Sequence, residues 1–273
     1  MDIKSRYIVI LGLTFAAVSG PFYEASAAGL NLKNEPISPI PLKHNENPRI
    51  ANLGRLLFND TRLSANNTIS CATCHDPKTG GVDGLPVSIG IYGSVGTINA
   101  PTVYNSSLNF VQFWDGRAAN LEDQAGAPIQ NPIEMNSNWD DVIGKLKADA
   151  DYRVAFGELY PNGITREAIS NAIATFERTL TTPNARFDQF LRGDKTAIST
   201  EELDGYLLFK SYGCSSCHQG AAVGGNMFEK MGALRDYFSD RGNITNADLG
   251  RFNVTGQQEH KFEFKVPSLR NIA

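Results

Sequence analysis

Two short stretches of this chain bring together residues that can do chemistry: Cys71-Ala72-Thr73-Cys74-His75 and Cys214-Ser215-Ser216-Cys217-His218. C-x-x-C-H is the attachment sequence of a c-type haem. Two thiols three positions apart can each form a thioether to a haem vinyl group, and the adjacent imidazole then reaches the iron as proximal ligand. All four cysteines of the chain fall in these two motifs. A zinc site also uses C-x-x-C pairs, but usually closer in sequence, and it does not require a histidine directly after each pair. A thioredoxin-like redox pair needs a βαβ setting, which neither stretch has. The expected cofactors are therefore two c-type haems, with His75 and His218 as iron ligands.

The 273 residues allow one or two domains with a sizeable core. Hydrophobic residues make up 41% and charged residues 20%, an ordinary globular balance. The net charge of −4, with no basic cluster, argues against a nucleic-acid partner. Lys4 and Arg6 precede an apolar run from Tyr7 to Val18, and Ala25-Ser26-Ala27 supplies a small-residue cleavage site. This predicts a signal peptide over residues 1–27 and a mature chain starting near Ala28. The run is short for a membrane anchor, and no later segment reads as a membrane span. Export together with haem attachment indicates the bacterial periplasm.

Around each motif the same order of elements is expected. After a polar extended arm (28–47), Pro48 opens a helix marked by Ile50, Leu53 and Leu57. A turn-rich stretch, Asn59 to Asn67, leads into the first motif. Ser199-Thr200-Glu201-Glu202 is a capping box opening a second such helix, and Gly213 stops it just before the second motif. Leu56-Leu57-Phe58 and Leu207-Leu208-Phe209 hold matching places. Thr79 to Gly96 reads as a glycine-rich loop over the first haem. Asp140–Leu159 and Thr165–Leu180 read as helical, the second capped by Thr165 and with a buried stripe of Ile169, Ala172, Ile173, Phe176 and Leu180. A turn or hairpin is expected at Gly224-Gly225-Asn226-Met227-Phe228. The expected fold is mainly α: two cytochrome c-like domains, 48–182 and 183–273, with little β.

Further blocks carry a resemblance. Leu53-Gly54-Arg55-Leu56-Leu57-Phe58, Phe113-Trp114-Asp115-Gly116-Arg117-Ala118, Gln124, Asn131-Pro132-Ile133-Glu134-Met135 and Val266-Pro267-Ser268-Leu269-Arg270-Asn271 occur in this order. Together they resemble the bacterial di-haem cytochrome c peroxidase family, including its methylamine-utilisation branch, from about Pro48 to Ala273. The resemblance implies a first, peroxidatic haem that reduces hydrogen peroxide. It implies a second haem fed by a small cytochrome c or copper protein. Glu134 matches the family's distal acid and base, a role peroxide cleavage requires because a proton must move between its oxygens. Gln124 matches the amide sharing that pocket, Trp114 the indole between the haems, and Asn99 an asparagine that helps hold an inter-domain calcium ion. A homodimer stays open.

The sequence departs from the family in two places. The loop Ser88-Ile89-Gly90-Ile91-Tyr92-Gly93 has no histidine, and Ile91 stands where many members place a sixth ligand for the first haem. Tyr92 is a substitute ligand in principle, with packing as its simpler role. The chain also ends before the family's sixth ligand of the second haem, usually methionine. It is expected to be a fragment, with Met227, Met231 and His260 the candidates otherwise. His44, in the polar arm, has no assigned role. Three functions remain in play: a peroxidase, a plain di-haem electron carrier, and an oxidase that modifies tryptophans of a partner protein. The carrier has no need of a distal acid.

Overall fold

The arm ends where Asn47 caps a helix. Its side chain accepts hydrogen bonds from the backbone N–H groups of Arg49 and Ile50, and Pro48 sits in the first turn, where a missing N–H costs nothing. The computed structural model describes residues 31–232 and 235–272, so the expected signal peptide lies outside the described residues. Helix α1 (Pro48–Phe58) is followed by α2 (Cys71–Cys74), α3 (Leu121–Gln130), α4 (Trp139–Ala148), α5 (Ala150–Leu159) and α6 (Arg166–Thr179). The expected single run over Asp140–Leu159 is two helices. Asp149 turns extended (φ −87°, ψ 125°), and its carboxylate accepts from the N–H groups of Asp151 and Tyr152 to start α5.

The first core lies where α1 crosses α6. Leu53, Leu57 and Phe58 of α1 are buried against Ile169, Ala172, Ile173 and Phe176, the stripe expected for α6. Gly54 permits the close approach: a Cβ there would sit 1.8 Å from the carbonyl oxygen of Ala172. Phe58 and Phe176 meet edge to face, their ring centroids 5.3 Å apart. Thr165 caps α6 by accepting from the N–H of Ala168. Helix α3 packs on the same α6.

The second part holds α7 (Arg186–Leu191), α8 (Thr200–Ser211), α9 (Tyr237–Arg241) and α10 (Phe252–Thr255). The capping box at Ser199 and Glu202 is formed, and Gly213 ends the region of α8 with φ +79°. A separate buried cluster joins Phe190, Leu191, Leu203, Tyr206 and Val223 to Ile37 of the arm. Asp188 ties this cluster together. Its carboxylate is fully buried, pairs with Arg270 at 2.9 Å, and accepts from the N–H of Ile40. The arm is thus part of the second core.

The only sheet among the described residues pairs β1 (Phe228–Lys230) antiparallel with β2 (Glu263–Lys265). Gly224 and Gly225 adopt φ +135° and +68°, as a turn there requires, but the strand that follows pairs more than thirty residues onward. Of the turn or hairpin expected there, the turn forms, and the strand after it belongs to a long-range pair in place of a local hairpin. Helices dominate, as the sequence predicts. Among the described residues no helix is long and apolar enough to cross a membrane.

Candidate haem sites

The first motif forms the wall of a cavity of about 850 Å³. Ser70 precedes α2 and shares a reciprocal cap with Thr73, whose hydroxyl accepts from the N–H of Ser70. This short helix places Cys71, Cys74 and His75 on the cavity wall. Burial pushes the Cys71 thiol up to about 12, with the Glu177 carboxyl adding to the shift. It also lowers the His75 pKa, against the opposing pull of backbone groups of Gly81 and Pro101 and of Asp83. Those backbone groups approach the ring, yet Nδ1 finds no partner of hydrogen-bond geometry. A neutral imidazole is the form that ligates iron.

The cavity fits a haem on a second ground. Among the described residues, seven buried side-chain polar atoms have no hydrogen-bond partner. Five of them, His75 Nδ1, Ser88 Oγ, Ser106 Oγ, Asn109 Oδ1 and Glu177 Oε2, belong to residues lining this cavity. Buried polar atoms are seldom left unpaired, so their concentration at one wall marks a place built for a polar-edged ligand. The zinc alternative finds no support. Among the described residues no three His, Cys, Asp or Glu side chains are grouped to hold a metal ion.

Glu134 and Gln124 line the same cavity. Asn131 builds the turn that carries Glu134. Its Oδ1 accepts from the N–H of Ile133, and its Nδ2 donates to Glu134 Oε1 at 2.5 Å. Burial raises the Glu134 pKa, while Arg117 and the Asn131 bond oppose the shift. The loop expected over the haem braces this turn: the N–H of Ile91 donates to the Glu134 carbonyl at 2.9 Å. Ile91 itself is fully buried and Tyr92 is 72% exposed, and neither lines the cavity. Tyr92 is thus not placed as an iron ligand.

Trp114 sits where the two parts meet. Its indole N–H donates to the Asn99 carbonyl, and its own carbonyl accepts from the N–H of Lys265 in β2. Next to it, Arg251 donates to the Asp115 carbonyl and stacks over Phe228. Asn99 also donates through Nδ2 to the Leu85 carbonyl, and its residue lines the cavity. The second motif lies in a 3-10 turn, Cys214–Ser216, with Cys217 and His218 half-buried. His218 Nδ1 lies 3.2 Å from the Val223 carbonyl, a bond that fixes the ring and leaves Nε2 for iron. Val223 borders a neighbouring hollow of about 540 Å³ with Tyr206, Phe209 and Leu269. Of the candidate sixth ligands, Met231 is half-exposed, Met227 is half-buried beside β1, and His260 Nδ1 is bonded to Thr255 Oγ1.

Several residues were not singled out from sequence. Asn131 positions Glu134, and Lys265, nearly buried, lines the cavity with its pKa lowered to about 8 by burial. Glu177 was legible in principle: it is a charged residue in the buried stripe of α6, one position beyond Phe176. A carboxylate on an apolar stripe is the signal that finds it.

The sequence profile of the family described as di-haem cytochrome c peroxidase matches residues 48–196. Cytochrome c peroxidase Ccp of Escherichia coli K12 is 49% identical over 253 residues, which is 92% of this chain and 54% of that protein. Cytochrome c551 peroxidase of Nitrosomonas europaea is 46% identical over 248 residues, 90% of this chain and 73% of that protein. A crystal structure of a MauG-like protein associated with microbial copper homeostasis superposes with a TM-score of 0.75 at 30% identity, covering 88% of this chain and 74% of that one. The chain spans about half the length of the first of these relatives and about three quarters of the second. On the profile match, the identities and the two attachment motifs, this chain belongs to the di-haem cytochrome c peroxidase family.

Proposed function

We propose that this chain belongs to a periplasmic peroxidase that reduces hydrogen peroxide to two waters with two electrons and two protons. The observation that carries this reading is the half-buried Glu134 carboxyl, raised in pKa, on the same cavity wall as Cys71, Cys74, His75 and Gln124. Cys71, Cys74 and His75 would hold a c-type haem, which would supply a redox-active iron for peroxide reduction. Glu134 then moves a proton from one peroxide oxygen to the other. Asn131 holds Oε1, so Oε2 is the atom free to exchange it. Gln124 orients the peroxide from α3. Cys214, Cys217 and His218 would hold a second haem, which would supply the entry point for electrons from a small cytochrome c or copper protein. Trp114, fixed at both its indole and its carbonyl, links the two units. The domain limits 48–182 and 183–273 and a calcium ion near Asn99 belong to the same proposal.

The test is peroxide turnover by the di-haem protein with a reduced small cytochrome as donor. Glu134→Gln keeps the shape and removes the exchangeable proton, so the rate falls by about 10²–10⁴-fold with haem content unchanged. Near-parental turnover in that variant would mean that the proton comes from elsewhere. A plain carrier would show no turnover in the parent. An oxidase acting on tryptophans of a partner protein would consume peroxide only when that protein is supplied.

A further inference from the structure

Glu177 is the group on the first cavity wall that neither the attachment motif nor the distal pair accounts for. It lies inside α6 at 5% exposure, and its Oε2 faces no hydrogen-bond partner. Its neighbour Arg178 pairs instead with Glu122 of α3, at 2.6 Å. Burial pushes the Glu177 carboxyl up to about 8; Arg178 opposes the shift and Glu122 adds to it. Among the described residues Arg178 is the one cation that bears on Glu177, and Arg117 and Lys265 line the same cavity. From α1 come Leu53, Leu57 and Phe58, from the 3-10 turn after Asn105 comes the hydroxyl of Ser106, and from α2 comes Cys71.

A buried carboxyl without a counter-charge stays neutral, and only a positive charge nearby makes its ionisation favourable. A haem attached at Cys71 changes by one unit of charge each time its iron changes oxidation state. In a low-dielectric site that change acts on the titratable groups of the cavity wall, and of its two raised carboxyls Glu134 is held by Asn131 whereas Glu177 has an oxygen with no hydrogen-bond partner. We propose that Glu177 is a redox-linked proton site: its carboxyl takes up one proton when the haem at Cys71 and Cys74 gains one electron, and releases it on reoxidation. Electron and proton enter together, so the net charge of the buried site is unchanged. The electron comes from a one-electron donor protein and the proton from solvent through the cavity. The proposal rests on the reading that a haem occupies the first motif. Glu177 acts through the haem's charge and is a positioning residue.

The experiment is potentiometry of the di-haem protein across a pH series, with redox-difference infrared spectra alongside. In the parent, one of the two haem waves moves to lower potential as pH rises between the carboxyl's pKa values in the oxidised and reduced states, and is level outside that range. Glu177→Gln should abolish the slope of that wave and spare the other. Glu177→Asp should restore a slope over a displaced pH range. The infrared spectrum should show a protonated-carboxyl band gained on reduction in the parent and missing in the Gln variant. An unchanged slope in the Gln variant, or both waves moving together, overturns the proposal. So does a parent protein without that band, which keeps the test decisive even where Glu177→Gln does not fold. Haem content read as the alkaline pyridine complex, with haem-peptide mapping to say which motif is loaded, separates the two levels: no haem on Cys71 and Cys74 overturns the reading of the first motif, whereas two haems with an unaltered slope overturn the proton site alone.

Discussion

Gly90 offers a way to disturb the distal acid without touching its carboxylate. Its backbone is extended (φ −92°, ψ −158°), a conformation open to any residue, so a substitution there acts through space alone. A Cβ on Gly90 would lie 2.0 Å from the Ile133 carbonyl oxygen, 2.9 Å from Glu134 Cα and 3.0 Å from the Glu134 carbonyl oxygen. Ordinary contact begins at 3.4 Å, so Gly90→Ala must part loop and turn by 3.4 − 2.0 = 1.4 Å. The displaced atoms belong to the turn that carries Glu134, and the Ile91 N–H bond to the Glu134 carbonyl passes the shift on. A misplacement of about 1 Å in a reacting group costs on the order of 10²-fold in rate. The expected result is a loss of about that size in kcat/KM for peroxide, with both haems attached and stability lower by roughly 1–3 kcal/mol. Gly93→Ala is the control. Its φ of +77° strains an alanine by about 1–2 kcal/mol, but no atom lies within 4 Å of the added carbon, so turnover should stay near parental. Near-parental peroxide turnover in Gly90→Ala would refute the reasoning, because the loop would then not hold Glu134 in place.

What the sequence made legible was whatever depends on local chemistry. The two C-x-x-C-H motifs, the caps at Thr165 and Ser199, the glycine stop at Gly213 and the α6 stripe each follow from a few neighbouring residues, and the structure forms the last four as expected. The break at Asp149 was missed because helical periodicity continues through it, while the carboxylate's preference for capping outweighs one more residue of helix. The pairing of β1 with β2 was missed because three-residue strands carry almost no pattern, and their partner is decided by tertiary packing. Glu134 and Gln124 needed the family resemblance to be noticed at all. Only the structure shows them on the same wall as the first motif, with Asn131 holding one carboxylate oxygen. Glu177 was hidden differently: hydrophobic periodicity absorbs a lone carboxylate unless its burial is asked to account for the charge.

Two further outcomes follow from the packing and from the open face of the first site. Gly54→Ala places a carbon 1.8 Å from the Ala172 carbonyl oxygen and must part α1 from α6, so the urea midpoint should fall by the equivalent of roughly 1–3 kcal/mol with haem content retained; an unchanged midpoint would contradict the crossing described. The last concerns the sixth position of the haem at His75. Among the described residues His75 is the only histidine on the cavity wall, and the single thioether there, Met135, is 2% exposed and belongs to the apolar core. The loop that many family members use to supply a histidine instead buries Ile91 away from the cavity and sends Tyr92 to solvent. The fully oxidised protein should therefore show a high-spin component at this haem and bind cyanide before any electron is added. Ile91→His should not close the site, because residue 91 does not line the cavity; an imidazole there replaces a fully buried isoleucine and should cost stability without changing spin state. Cyanide binding that appears only after one-electron reduction of the parent, together with a wholly low-spin oxidised spectrum, would show that a protein ligand reaches the iron and that the open face does not exist.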